Sequence, residues 1–108
     1  MHIRHIAIIG AGTMGSGIAQ VCATYGYTVT LIDVIPEQLE RAQTAIRQSV
    51  EKLHAKGRIT DAQRDAALSG IRTSLRMEDA ADADLAVEAV VERLEVKQEV
   101  FGLSLIHI

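Results

Sequence analysis

Apolar residues change their spacing twice within the first third of the chain. Residues 5–9 are almost continuously apolar, which is typical of a short strand buried on both faces. After a glycine-rich stretch, apolar residues recur over residues 18–25 at the spacing of one helix face, and Gly26 predicts the end of that helix. Segment 27–33 is β-branched and predicts a second strand.

The same alternation continues along the rest of the chain. Residues 36–56 carry a helical apolar stripe, with Pro36 in the first turn and Gly57 after the end. Thr60–Gln63 has the pattern of a capping box, which predicts a shorter helix as far as about Ser69. We predict a third strand at residues 71–75 and a solvated acidic connector at residues 76–84. A fourth strand is predicted at residues 85–90, and a further helix at residues 92–101.

Composition limits the classes of protein that this pattern could represent. The 108 residues are 48% hydrophobic but only 3% aromatic, so the core consists of Ile, Val, Leu and Ala, as in a parallel sheet covered by helices. A net charge of −3 with scattered cations argues against a nucleic-acid partner, and no apolar run is long enough to cross a membrane. A single cysteine and the lack of a secretory leader pattern favour a cytoplasmic location.

The glycine-rich stretch indicates a nucleotide site. Its glycines match the pattern G-x-G-x-x-G between a predicted strand and a predicted helix, where backbone N–H groups and the positive helix end bind a diphosphate. The first glycine permits the tight turn, the second lets the phosphates approach, and the third lets the helix pack on the strand. Gly17 lies outside the pattern, and we expect it to serve helix–sheet packing. The predicted cofactor-binding loop is Gly10, Ala11, Gly12, Thr13, Met14 and Gly15.

Asp33 supplies the second half of this pattern. It ends the second predicted strand, 21 residues after Gly12, where a carboxylate can accept hydrogen bonds from an adenosine ribose. The carboxylate would repel a 2′-phosphate, and Val34 and Ile35 offer no arginine to neutralise one. These features predict NAD rather than NADP as the cofactor. The alternative is an ordinary turn followed by a surface acid.

Three segments of the chain resemble the N-terminal domain of the 3-hydroxyacyl-CoA dehydrogenases, and most closely the bacterial 3-hydroxybutyryl-CoA dehydrogenases. They are IAIIGAGTMGSGIAQVCATYGYTVTLID, LERAQTAIRQSVEKLHAKGRIT and DADLAVEAVVERLEVKQEVF, and the similarity runs from about residue 4 to Phe101. The resemblance implies a Rossmann-type doubly wound parallel sheet that is truncated and lacks the family's second, helical domain. We therefore interpret residues 1–101 as an incomplete NAD-binding domain.

The resemblance also implies site residues that spacing alone does not reveal. Glu92 and Lys97 match family positions that contact the cofactor, and Ser49 and Lys56 match positions that touch the coenzyme A part of an acyl-CoA substrate. By position alone, these two lysines and Ser49 could equally be solvent-exposed helix residues.

The implied reaction is the interconversion of a 3-hydroxyacyl-CoA and a 3-ketoacyl-CoA by hydride transfer to NAD. In the family, a His–Glu pair performs the acid–base chemistry, and its histidine belongs to a later segment than this chain contains. We assign no catalytic residue to the chain and no metal site, since the acidic connector has no paired His or Cys. The fragment alone is expected to bind NAD without turnover, and the full-length parent to be a homodimer through the missing domain.

Other interpretations of the chain stay open at this level. The nucleotide module could belong to a dehydrogenase acting on free hydroxyacids, or to a non-catalytic, crystallin-like relative. Residues 102–108 are predicted to be a non-native tail, because Gly102 disfavours continuation of the preceding helix; a natural variant of the family is the alternative. Cys22 is predicted to be a small buried apolar residue, and Ser16 an early-helix hydroxyl without a catalytic role.

Overall fold

Strands and helices alternate along the chain, as the sequence predicts. The computed structural model describes residues 2–90 and 93–95. The strands are β1 (His5–Ile9), β2 (Thr28–Ile32), β3 (Ile71–Ser74), β4 (Leu85–Val90) and β5 (Arg93–Glu95). The helices are α1 (Thr13–Thr24), α2 (Pro36–Ala55) and α3 (Asp61–Ser69), and a short 3₁₀ helix covers Met77–Asp82.

The strands form one sheet in the order β3-β2-β1-β4-β5. β1 pairs in parallel with β2 on one side and with β4 on the other, and β3 extends the parallel sheet beyond β2. The chain therefore adds β2 and β3 on one side of β1, and then crosses to the other side of β1 to add β4 and β5. This arrangement confirms the predicted doubly wound parallel sheet, and it makes the space between β1 and β4 the point where the strand order reverses.

The helix predicted from residue 92 onward is wrong at residues 93–95. These residues form β5, which pairs antiparallel with β4 in a register that places Arg93 opposite Val90. Pairing there satisfies backbone groups along the outer edge of β4, which would otherwise lack partners. The rest of that predicted helix and the predicted tail 102–108 lie outside the described residues.

Alternate residues of each central strand face opposite sides of the sheet. Ile6 and Ile8 pack in the main core with the three helices, whereas Ala7 and Ile9 belong to a smaller cluster on the opposite face. Because both faces are covered, the strand is apolar at every position from 6 to 9, which explains why it shows no alternation in the sequence.

Asp84 joins the start of β1 to the start of β4. Its Oδ2 accepts hydrogen bonds from the backbone N–H groups of Arg4 (2.8 Å) and His5 (3.0 Å). These two donors hold the pKa of the carboxyl group below its ordinary value. The connector predicted as solvated loop thus also carries a specific contact with the sheet, and its Ala80 and Ala83 are buried.

Two glycines of the G-x-G-x-x-G pattern are required by the packing of the protein itself. Gly10 has φ +106°, and a Cβ built there would overlap the carbonyl oxygen of Ala89 in β4. A Cβ on Gly15 would overlap the carbonyl oxygen of Gly10. The absence of side chains at both positions lets α1 begin directly against the strand, as the sequence pattern predicts.

Gly17 differs from these two glycines. It is exposed, and a Cβ built on it meets no atom within 4 Å, so the expected role in helix–sheet packing is wrong. The residues of α1 that are buried are Gly15, Ser16, Ala19 and Ala23.

We expect opposite effects from the same substitution at Gly15 and Gly17. Gly15→Ala forces α1 away from the loop and should lower the free energy of unfolding by about 1–3 kcal/mol. Gly17→Ala adds a better helix former in open space and should raise it by up to about 1 kcal/mol. Urea unfolding followed by circular dichroism measures both. Equal losses in the two variants would contradict the close approach at Gly15.

Candidate functional site

A crevice of about 490 Å³ opens at the carboxyl ends of β1, β2 and β4. This is the edge of the sheet, and the reversal point of strand order, at which doubly wound folds bind their ligands. The residues that line the crevice are Gly10, Gly12, Thr13, Met14, Asp33, Gln38 and Ala89.

The start of α1 faces this crevice without an internal cap. Gly12 is the N-cap residue, so it has no side chain to accept from the first helical N–H groups, and the first turn contains no acidic residue. The first N–H group with a helix-type partner is that of Ser16, which donates to the Gly12 carbonyl oxygen at 2.9 Å. The preceding N–H groups, at Thr13 to Gly15, have no carbonyl partner within the helix.

Asp33 connects the end of β2 to the glycine loop. Its Oδ2 accepts from the backbone N–H of Ala11 at 2.9 Å, and its Oδ1 accepts from the N–H of Ile35 at 3.0 Å. Its own N–H donates to the Ser74 carbonyl oxygen. Each carboxylate oxygen keeps a further lone pair, so the half-buried carboxylate can still accept from ligand hydroxyls.

These features fit a dinucleotide with its diphosphate at the start of α1. The uncapped N–H groups and the positive end of the helix favour an anion there. A Cβ built on Gly12 meets no protein atom within 4 Å, so its missing side chain leaves room for a ligand and not for packing. The loop and Asp33 line one crevice, which is the arrangement that the sequence pattern predicts.

Ala11, which the sequence pattern includes in the cofactor-binding loop, has a different task in the structure. Its N–H is used by Asp33, and its side chain is buried, with 2% of its surface exposed. Ala11 therefore holds the carboxylate in position, and the N–H groups open to a phosphate begin after it. Thr13 and Met14 are both exposed at the mouth of the crevice.

Sequence reasoning missed Gln38 and Ala89 as lining residues. Gln38 lies in the first turn of α2, five residues after Asp33, and Ala89 lies near the end of β4. A signal for Gln38 was available, because a helix that follows β2 must also begin at the carboxyl edge of the sheet. Ala89 carries no chemical signal, since it contributes only a small side chain and backbone.

Ser49 and Lys56 occupy one flank of α2. Ser49 is half-buried, and its Oγ accepts a hydrogen bond from Nε2 of Gln20 in α1 at 2.9 Å. This bond leaves the hydroxyl hydrogen of Ser49 available to a ligand. Lys56 is exposed and caps the end of the helix, two turns beyond Ser49. Glu92 and Lys97, the other two residues implied by the family, lie outside the described residues.

The described histidines lie away from the crevice. His5 is at the opposite end of β1, and its Nε2 lies 2.7 Å from Thr30 Oγ1. His54 Nε2 is hydrogen-bonded to Asp61 Oδ1 at 2.5 Å at the junction of α2 and α3. His2 is exposed at the start of the chain, and His107 lies outside the described residues. None of the three described histidines therefore reaches the crevice, and the absence of a catalytic histidine stays a prediction.

The side chains of Ser16 and Cys22 contact other parts of the protein. Ser16 is buried, and its Oγ donates to the Thr13 carbonyl oxygen at 3.1 Å. Cys22 is half-buried against the main core, and burial raises the pKa of its thiol above the ordinary value, which disfavours the reactive thiolate. Within residues 2–90 and 93–95, no group of three His, Cys, Asp or Glu side chains could hold a metal ion.

The parallel sheet, the uncapped helix start and the carboxylate at the tip of β2 together define a Rossmann-type dinucleotide-binding domain. The defining sequence pattern of the family described as "3-hydroxyacyl-CoA dehydrogenase, NAD binding domain" matches residues 5–104. The chain belongs to this family.

Named relatives and solved structures agree with this membership. The chain is 45% identical over 94 residues to a probable 3-hydroxybutyryl-CoA dehydrogenase of Deinococcus radiodurans, covering 87% of this chain and 34% of the relative. It is 37% identical over 99 residues to the 3-hydroxybutyryl-CoA dehydrogenase of Bradyrhizobium diazoefficiens, covering 92% and 34%. The crystal structure of 3-hydroxybutyryl-CoA dehydrogenase from Escherichia coli superposes with a TM-score of 0.81 at 34% identity, covering 86% of this chain and 20% of that one.

The chain thus spans about a third of the length of these two curated relatives. Among the described residues, no helix combines the length and the hydropathy that crossing a membrane requires.

We expect Gly12→Ala to separate ligand binding from folding. The new methyl group meets no protein atom, so the free energy of unfolding should change by no more than about 1 kcal/mol. The methyl group would occupy the space in front of the uncapped N–H groups, and NADH affinity should fall roughly tenfold or more. Fluorescence titration with NADH measures this loss.

Gly17→Ala is the matched control, because it makes the same change in open space on the same helix but outside the crevice. Its NADH affinity should equal that of the unchanged chain. Unaltered affinity in the Gly12→Ala variant would contradict a diphosphate at this position.

Proposed function

We propose that this chain binds NAD in the crevice at the end of β1, as the dinucleotide-binding part of a longer dehydrogenase. The observation that supports the proposal most directly is the hydrogen bond from the N–H of Ala11 to Asp33, because it holds a carboxylate beside the glycine loop. The bound cofactor supplies the site that accepts or donates a hydride.

The chain's own residues hold the cofactor in this proposal. N–H groups at the start of α1 bind the diphosphate, and the positive end of the helix stabilises its charge. Asp33 accepts hydrogen bonds from the adenosine ribose, and Gln38 also lines the crevice. The carboxylate repels a 2′-phosphate and so favours NAD over NADP.

The parent reaction is the interconversion of a 3-hydroxyacyl-CoA and a 3-ketoacyl-CoA. Family membership supports this reaction. Because some of the relatives are 3-hydroxybutyryl-CoA dehydrogenases, we propose that the substrate carries a short acyl chain. We assign the acid–base chemistry of the reaction to residues outside this chain, as the family resemblance implies. Among the described residues, His5 and His54 stand away from the crevice. The chain alone should bind cofactor without turnover.

Four further residues have proposed contacts with cofactor or substrate. Ser49 and Lys56 contact the coenzyme A part of the substrate, supported by their common flank of α2 and by the free hydroxyl hydrogen of Ser49. Glu92 and Lys97 contact the cofactor, supported only by the family resemblance. The homodimeric parent, the cytoplasmic location and the non-native tail also remain predictions.

Asp33→Asn should lower the affinity for NADH roughly tenfold and narrow the preference for NADH over NADPH. The neutral amide loses an acceptor and no longer repels the 2′-phosphate. Parallel titrations with NADH and NADPH measure both effects.

Asp82→Asn removes the same charge from an exposed position in the 3₁₀ helix and serves as the control. Its two affinities should match those of the unchanged chain. Tighter binding of NADPH than NADH by the unchanged chain would overturn the assignment of NAD.

A further inference from the structure

A second, smaller cavity adjoins the proposed cofactor crevice. Its volume is about 150 Å³, and it lies between the start of α1 and the first turns of α2. Gly12, Thr13 and Gln38 line both cavities, so the two lie side by side near the uncapped end of α1. The residues found only in the smaller cavity are Ala11, Ser16, Arg41, Ala42 and Ala45.

Arg41 is the one charged residue among those that line the smaller cavity. The basic residues in the ion pairs among the described residues are His54, Arg64 and Arg76, and Arg41 takes part in none of these pairs. Glu37 is one helical turn before Arg41 but forms no ion pair with it. The guanidinium is exposed and keeps its full complement of donors.

Two positive groups therefore meet in this cavity without an acid between them. The start of α1 carries partial positive charge on its free N–H groups, and a cation near such an end destabilises the helix. The arrangement becomes favourable when an anion with several acceptor oxygens bridges the two groups. A phosphate meets this requirement, because a guanidinium can bind it through two parallel hydrogen bonds.

The position of Arg41 also joins the two predicted ligand regions of the chain. Arg41, Ala45 and Ser49 follow each other at intervals of four residues, so they lie along one flank of α2. This flank runs from the cofactor crevice toward Ser49 and Lys56, the residues proposed to contact the coenzyme A part of the substrate. A phosphate beside Arg41 could thus belong to either nucleotide.

We propose that Arg41 binds a phosphate group of a bound nucleotide at the junction of α1 and α2. This inference rests on the proposed function, and it adds to the site a residue that lies outside the glycine pattern and the family-implied positions. The phosphate belongs to the dinucleotide or to coenzyme A, and the two sources are distinguished by separate titrations.

The test compares Arg41→Gln with Arg47→Gln in the 108-residue chain. Arg47 is also exposed on α2, but it lines the groove on the α3 side, so its replacement makes the same charge change away from the proposed site. Binding of NADH and of coenzyme A is measured by titration calorimetry, and circular dichroism checks the fold of each variant.

We expect Arg41→Gln to weaken binding of at least one probe roughly tenfold or more, while Arg47→Gln leaves both affinities unchanged. A loss confined to NADH assigns the phosphate to the dinucleotide, and a loss confined to coenzyme A assigns it to the acyl carrier. Arg41→Lys should recover part of the affinity, since it restores the charge without the paired donors.

Unchanged affinities in Arg41→Gln, or equal losses in Arg47→Gln, would overturn the inference while leaving the proposed function intact. Failure of the unchanged chain to bind either probe would overturn the proposed function and this inference together.

Discussion

One hydrogen bond holds together the two halves of the proposed nucleotide site. The carboxylate of Asp33 accepts from the N–H of Ala11, which joins the tip of β2 to the loop that follows β1. This contact sets where the loop stands relative to the carboxylate, and so where a ligand diphosphate and a ligand ribose would lie. The parallel pairing of β1 and β2 supports it, because it brings the ends of both strands to one edge of the sheet.

The glycines around this contact perform separate physical tasks. Gly10 and Gly15 admit a close approach between protein segments, and a methyl group at either would overlap backbone. Gly12 faces open space, so its missing side chain serves the ligand. The consequence is that substitutions within one short motif should affect stability at some positions and binding at another.

Much of the fold was predictable because local chemistry and tertiary structure agree. Pro36 does lie in the first turn of α2, and Thr60 and Gln63 do form the reciprocal bonds of a capping box. The continuous apolar run of β1 follows directly from burial on both faces. The segment at 93–95 was mispredicted because its pairing depends on the free edge of β4, which local sequence does not reveal.

The candidate site was predictable only where a spacing rule exists. The glycine loop and Asp33 follow such a rule, and the structure brings them together. Arg41 follows no such rule, and it lines the smaller cavity because α2 runs past the start of α1. Gly17 shows the opposite error, since a glycine beside the motif was given a packing role that its exposed position excludes.

Amide chemical shifts of the ¹⁵N-labelled chain during titration with NADH test the central claim most directly. If the backbone at the head of α1 holds the diphosphate and Asp33 holds the ribose, the largest saturable changes will centre on residues 10–15 and Asp33. The amides around Gly57, beyond the end of α2, will then stay unmoved. Saturable changes centred elsewhere, with the glycine loop unaffected, would contradict the account.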